Sequence, residues 1–287
     1  MTNLLSYPGA PTSYNDAANL SLSVGGKSFA YRDLGPRGGV PIFFLNHWGA
    51  VLDNFDPRIV DGLASKRRVI AIDFQGIGNS GGKAPLTIDQ MARDTISLIR
   101  ALGYEKVDLF GFSLGGFVAQ DITLKVPDLV RKLILAGTGP AGGVGIDKVG
   151  PVSWPLIFKG LLTFRDPKIF LFFTSTPEGR QAAKAFLKRI KERRVGRDKG
   201  PTPRAFLRQL KAITAWGLQA PQDLGNINIP VLIANGDNDI MVPTVNSVDM
   251  AKRIPGAQLV IYKNAGHGGV FQNHEDFVSK ARSFLDA

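Results

Sequence analysis

Residues 107–120 read Val-Asp-Leu-Phe-Gly-Phe-Ser-Leu-Gly-Gly-Phe-Val-Ala-Gln. An apolar strand run passes through a sharp turn at Ser113 straight into a helix. Glycines stand two before and two after the serine, at Gly111 and Gly115. So tight a turn strains the serine backbone and leaves no room for a neighbouring Cβ. The serine hydroxyl is lifted out at the end of the strand. The helix that follows aims unpaired N–H groups at the point where negative charge would develop. This stretch therefore demands a sheet with a helix behind it, and it offers a nucleophile.

A serine hydroxyl is a weak nucleophile at neutral pH. It needs a base within hydrogen-bond reach and a third group to hold that base in one tautomer. The chain has three histidines, His47, His267 and His274. His267 follows the last strand run, in Ala265-Gly266-His267-Gly268-Gly269, and so loose a loop can carry an imidazole across to Ser113. The alternative is a solvent-exposed turn histidine. His274 falls in the closing helix and reads as a surface or packing residue. The acid is Asp237 or Asp239, both just after the strand run that ends near Asn235.

With these residues in place the chain resembles the α/β-hydrolase fold superfamily, in its serine esterase and cofactor-free haloperoxidase-like branch, from about Ser21 to the C-terminus. The resemblance rests on Gly111-Phe112-Ser113-Leu114-Gly115, on Gly236-Asp237-Asn238-Asp239-Ile240-Met241-Val242-Pro243, and on Gly266-His267-Gly268. Their order, Ser then Asp then His, is the one this superfamily uses, with the serine on a nucleophile elbow. It implies catalytic Ser113, Asp239 and His267, the acid standing four residues before Pro243, with Asp237 as a turn residue. It implies an oxyanion hole from the Leu114 N–H and a second N–H after Leu45. That loop, Asn46-His47-Trp48-Gly49-Ala50, lacks the glycine usual after the histidine. Aligned on the strand end the donor is Trp48; aligned on the histidine it is Gly49. Trp48 is preferred, and His47 is read as shaping the loop. A serine at the elbow argues against the dehalogenase and epoxide hydrolase branches, which place a carboxylate there.

The rest of the chain fits an α/β fold. Residues 20–24 and 28–34, joined at Gly25-Gly26, predict a hairpin. Apolar runs at 40–45, 68–72, 107–112, 131–136, 230–235 and 258–262 predict strands, most of them buried on both faces. Helices are predicted over 53–64, from the Thr87-Ile88-Asp89-Gln90 capping box to near Gly103, after Ser113, and over 271–285. This alternation predicts a mostly parallel sheet flanked by helices. The core is expected to be 1–136 and 223–287, with 1–19 as an extended arm. Residues 137–222 show helix and loop signals but no strand, so an inserted helical lid is expected there. Its aromatics include Trp154, Phe158 and Trp216, expected over Ser113 as an apolar substrate pocket.

Composition narrows the partners. The 287 residues suit one catalytic domain with an insertion, and 44% hydrophobic content supports a proper core. With no cysteine, disulfides and thiolate chemistry are excluded. No signal peptide or transmembrane run is read, so a cytoplasmic protein without stable membrane insertion is expected. No metal-ligand spacing or dinucleotide fingerprint appears, and no metal or cofactor is expected. The turn from Asp73 through Gly76 and Gly78 to Ser80 lacks the ending of a phosphate cradle. It reads as a glycine-rich turn in which Asp73 bonds backbone N–H groups. The net charge of +11 is local: residues 180–211 carry twelve Lys/Arg against only Glu192 and Asp198. Residues 180–195 predict an amphipathic helix with Ala182, Ala183, Phe186 and Ile190 inward. Lys184, Lys188, Arg189, Lys191 and Arg193 are expected on its solvated face. Without a recognised module, nucleic acid is not an expected partner.

The expected function is therefore serine hydrolysis of an ester or lactone of a mainly apolar small molecule. The same residues would serve peracid formation with hydrogen peroxide, or carbon–carbon bond hydrolysis. A non-catalytic binding protein is the reading from another class.

Overall fold

The computed structural model describes residues 13–287; positions 1–12 of the expected arm lie outside the described residues. The strands are β1 (Leu20–Val24), β2 (Lys27–Leu34), β3 (Ile42–Leu45), β4 (Val69–Ile72), β5 (Val107–Phe112), β6 (Val130–Ala136), β7 (Val231–Gly236) and β8 (Gln258–Tyr262). The helices are α1 (Pro57–Ala64), α2 (Ile88–Ala101), α3 (Leu114–Lys125), α4 (Val149–Leu162), α5 (Lys168–Phe172), α6 (Pro177–Arg189), α7 (Pro203–Gly217), α8 (Val245–Arg253), α9 (Gly269–Gln272) and α10 (His274–Asp286). Among the described residues the strands form one sheet, ordered β1-β2-β4-β3-β5-β6-β7-β8.

β1 and β2 are antiparallel with Val24 opposite Lys27. Gly25 and Gly26 make that two-residue turn at φ 55° and 76°, which matches the twist of the flanking strands. β2 also runs antiparallel to β4, and every pairing from there to β8 is parallel. β3, β4, β5 and β7 are buried throughout, hence their unbroken apolar runs. The edge strand β1 alternates half-buried and exposed residues.

The chain order fixes the layers. From β3 it steps one way to β4, then passes back over β3 to β5. Right-handed crossovers therefore put α1 on one face and α2 and α3 on the other. The packing agrees, with α1 against α10 and α2 against α3. The reversal leaves a crevice at the C-terminal ends of β3 and β5, where open α/β sheets take their ligands. Residues 46–50 and Ser113 both lie there.

Three expectations change in detail. The helix expected over 53–64 is a short 3₁₀ turn at Leu52–Asn54 followed by α1, because Asp56 caps the Arg58 N–H and Pro57 takes the first helical position. The closing helix is broken at Asn273 into α9 and α10. The basic helix is shorter than expected, and two of its cations are not on a solvated face. Arg189 forks onto Asp56 and the Phe271 carbonyl, while Arg193 is buried and donates to the Asn15 and Ala17 carbonyls. Asp198 crosses to the core as well, accepting from Arg32 at 2.7 Å, while its own N–H donates to Asp53 at 2.9 Å. The described part of the arm is held too: the Tyr14 hydroxyl donates to the Leu52 carbonyl at 2.8 Å. Between β6 and β7 lie α4 to α7, with no strand among the described residues. No helix among those residues is long and apolar enough to cross a membrane.

Candidate active site

Ser113 joins β5 to α3 at φ 55° and ψ −118°, a conformation that few non-glycine residues adopt. Its N–H donates to the Ala136 carbonyl, and its own carbonyl accepts from Thr138 Oγ1, both at 2.9 Å. A Cβ on Gly111 would lie 2.5 Å from the Gly115 carbonyl oxygen, and one on Gly115 would overlap the Leu45 carbonyl. The glycine pattern is thus set by the close approach of β3, β5 and α3.

His267 follows β8 in a loop seated on Phe172, whose carbonyl accepts from the Gly268 N–H at 2.7 Å. The imidazole is buried against the Phe112 and Phe172 rings, at 5.0 and 5.2 Å between centroids. Its Nδ1 lies 2.7 Å from Asp239 Oδ2. The other carboxylate oxygen of Asp239 accepts the Met241 and Val242 N–H groups, each at 2.9 Å. A carboxylate only accepts, so the bond fixes the proton of a neutral ring on Nδ1 and leaves Nε2 as the basic nitrogen. That Nε2 is buried without a hydrogen-bond partner among the described residues. Asp237 faces elsewhere: it is exposed and accepts from Asn238 Nδ2 and the Ala265 N–H.

Residues 46–50 are locked from the side of α7. Trp48 stacks on Phe206 at 4.1 Å, and its indole N–H donates to the Phe206 carbonyl at 2.8 Å. The Gly49 N–H donates to Gln209 Oε1 at 2.9 Å. The Trp48 and Leu114 amides have no acceptor among the described residues. Of the two residues considered in this loop, Trp48 is therefore the one with a free donor.

His47 bonds the Trp48 carbonyl through Nδ1 at 2.8 Å, which makes Nδ1 the protonated nitrogen. Burial, helped by the nearby Lys168 cation, lowers its pKa to about 3. In the unfolded chain it titrates near ~6.5. A folded-state pKa below the unfolded one favours folding fully above ~6.5, and this contribution is lost as pH falls toward about 3. Urea unfolding of His47→Asn, whose side-chain amide can still reach the Trp48 carbonyl, should accordingly lose part of the wild-type fall in stability across that window. An unchanged slope would contradict a neutral buried His47.

Asp73 takes its place in the glycine-rich turn. It is buried, accepts from the Asn79 N–H at 3.3 Å, and has its pKa raised by burial and then by the nearby Asp198 charge. It follows β4, on the other side of β3 from β5. His274 opens α10.

Ser113, His267, His47 and Trp48 line one cavity of ≈ 200 Å³. Its apolar wall is Ile157, Leu171, Phe172, Phe206 and Met241, and Asp166 and Lys168 add the charged groups. None of the three expected pocket aromatics is on this lining. Trp216 is core, stacked on Phe117 at 5.7 Å. Trp154 packs behind Trp48 and Phe206, and Phe158 is 57% exposed. The right helix was legible in α4, but Ile157 rather than its neighbours faces the cavity. Phe206 and Gln209 share a face of α7 at i, i+3, a spacing that could have marked them together.

A model of the alpha/beta hydrolase fold family matches residues 40–274. A solved alpha/beta hydrolase fold protein from Chitinophaga pinensis superposes with a TM-score of 0.90 at 36% identity, covering 96% of this chain and 99% of its own. A 2-hydroxy-6-oxononadienedioate/2-hydroxy-6-oxononatrienedioate hydrolase of Klebsiella pneumoniae is 29% identical, over 83% of this chain and 82% of its own. A pimeloyl-(acyl-carrier protein) methyl ester esterase of Aliivibrio salmonicida is 27% identical, over 86% and 92%. The Klebsiella and Aliivibrio relatives are named as hydrolases of different substrates. This chain belongs to the alpha/beta hydrolase fold family.

Proposed function

We propose that the protein is a serine hydrolase that cleaves an ester or lactone of a mainly apolar small molecule through an acyl-enzyme on Ser113. One observation carries this reading. The buried His267 is tied to Asp239 at 2.7 Å and has an unpartnered Nε2 in the cavity that also holds the strained Ser113. No hydrogen bond joins Ser113 Oγ to that nitrogen here, and such bonds are often long until substrate is bound.

In this reading His267 Nε2 takes the Ser113 proton as Oγ attacks the carbonyl carbon. The new C–O bond places the carbonyl electron pair on oxygen, which the Leu114 and Trp48 N–H groups receive. Asp239 holds the ring and stabilises its charged form. The pair collapses back as the alcohol leaves with the proton from Nε2. Water, deprotonated by the same nitrogen, then frees the acid. Residues 137–222 act as the lid, closing the cavity with Ile157, Leu171 and Phe206.

The small apolar cavity sets the expected selectivity. Turnover of p-nitrophenyl esters should be greatest for acetate or butyrate and at least ~10-fold lower in kcat/KM for dodecanoate, a loss of ~1.4 kcal/mol in transition-state binding. A panel that includes lactones and 2-hydroxy-6-oxononadienedioate, a compound in the name of the Klebsiella relative, then identifies the reaction. No turnover of any ester or lactone would contradict the proposal.

A further inference from the structure

A second cavity, larger than the first, lies beside the Asp239–His267 pair. Its volume is ≈ 500 Å³, within the ~300–1,000 Å³ usual for small-molecule sites. Leu171 lines both cavities and forms their common wall. Asn238 and Ile240, which bracket Asp239, and Gly266, which precedes His267, line only the second.

Its chemistry differs from that of the cavity at Ser113. Lys159, Arg165 and Arg180 come to it from α4, the α4–α5 turn and α6, and no Asp or Glu lines it. Among the described residues none of the three lies within 4 Å of a carboxylate oxygen. Lys159 Nζ sits 4.7 Å over the Phe170 ring, and Arg180 donates to the Ser175 carbonyl. Glu178 lies off the lining and accepts from Asn264, and the Arg180 charge is close enough to act on its carboxylate. At Ser113, by contrast, the lysine is matched: Lys168 Nζ is 3.4 Å from Asp166. Between the three cations the walls are apolar, with Leu156, Ile169, Phe170, Phe173 and Ile240. An excess of positive charge on the lining of an apolar trough suits a ligand with an anionic head and a hydrocarbon tail. The tail is drawn from water by the walls, and the head exchanges hydration for charge-assisted hydrogen bonds.

We infer that this cleft is a second binding site, separate from the Ser113 cavity, for a small anionic amphiphile with a carboxylate or phosphate head. Calorimetric titration of the full chain carrying Ser113→Ala tests it, so the result does not depend on hydrolysis. The probes are dodecanoate, dodecyl phosphate and dodecyltrimethylammonium, each below its micelle concentration. The expected result is one-site binding of an anionic probe, about tenfold or more tighter than the cationic one, the tighter of the two anions naming the head group. Adding Arg165→Glu and Arg180→Glu, both at exposed positions, should weaken the anion about tenfold, and Ile240→Trp should fill the trough and remove binding. Ile157→Trp, which narrows only the Ser113 cavity, should leave it unchanged. Equal binding of all three probes, anion binding that survives both charge reversals, or its loss in Ile157→Trp would overturn the inference.

Discussion

Replacing Ser113 by alanine is expected to lower kcat/KM for a short-chain ester by ~10⁴–10⁶-fold, since the nucleophile, its base and its acid act as one unit. Stability should hardly move, because the hydroxyl makes no hydrogen bond among the described residues and alanine keeps the same backbone. Ser113→Gly separates the two effects. It should be equally inactive, yet unfold at higher denaturant, because glycine adopts φ 55° and ψ −118° without the ~1–3 kcal/mol that such a sparsely populated conformation costs other residues. A measured gain in stability with total loss of activity would mark the turn as strain kept for chemistry. Substantial activity in either variant would contradict the assigned nucleophile.

The second large effect is at the acid. Asp239→Asn should lower kcat on the order of 10⁴-fold with little change in KM. An amide can present its NH₂ to His267, which would put the ring proton on Nε2 and remove the base. Asp237→Asn, two residues away, should change kcat less than ~3-fold, because Asp237 is exposed, its carboxylate bonds Asn238 and the Ala265 N–H rather than His267, and an amide oxygen can still accept from that N–H. The contrast matters more than either value. Equal losses in both variants would mean that the turn, rather than the carboxylate facing His267, was being measured.

These two aspartates also show where sequence reasoning stops. Gly236-Asp237-Asn238-Asp239 places two carboxylates in one loop; residue chemistry alone leaves both open, the resemblance picks Asp239, and in the fold Asp239 meets His267 while Asp237 ties Asn238 and Ala265. The strands were legible because burial on both faces leaves unbroken apolar runs, as in Ile42-Phe43-Phe44-Leu45. The Ser113 turn was legible because its glycine spacing answers to local backbone contact. The cavity wall was not. Trp216 and Phe206 are both aromatic residues of α7, yet one is stacked in the core on Phe117 and the other under Trp48. Their difference comes from how α7 is rotated against the core, a long-range packing outcome with no local signature. The ion pair of Arg32 with Asp198, 166 positions apart, was hidden for the same reason, so Arg193 and its neighbours read as a solvated face. The Gln209 contact to the Gly49 amide likewise spans 160 positions, and it is what separates Gly49 from Trp48 as a free donor.

The central claim is an activated serine at the β5–α3 turn, and intact-mass labelling with a fluorophosphonate tests it most directly. A single adduct on the wild type, absent from Ser113→Ala and strongly slowed in Asp239→Asn, is the predicted result. An unlabelled wild-type protein, or an adduct that persists in Ser113→Ala, would contradict it.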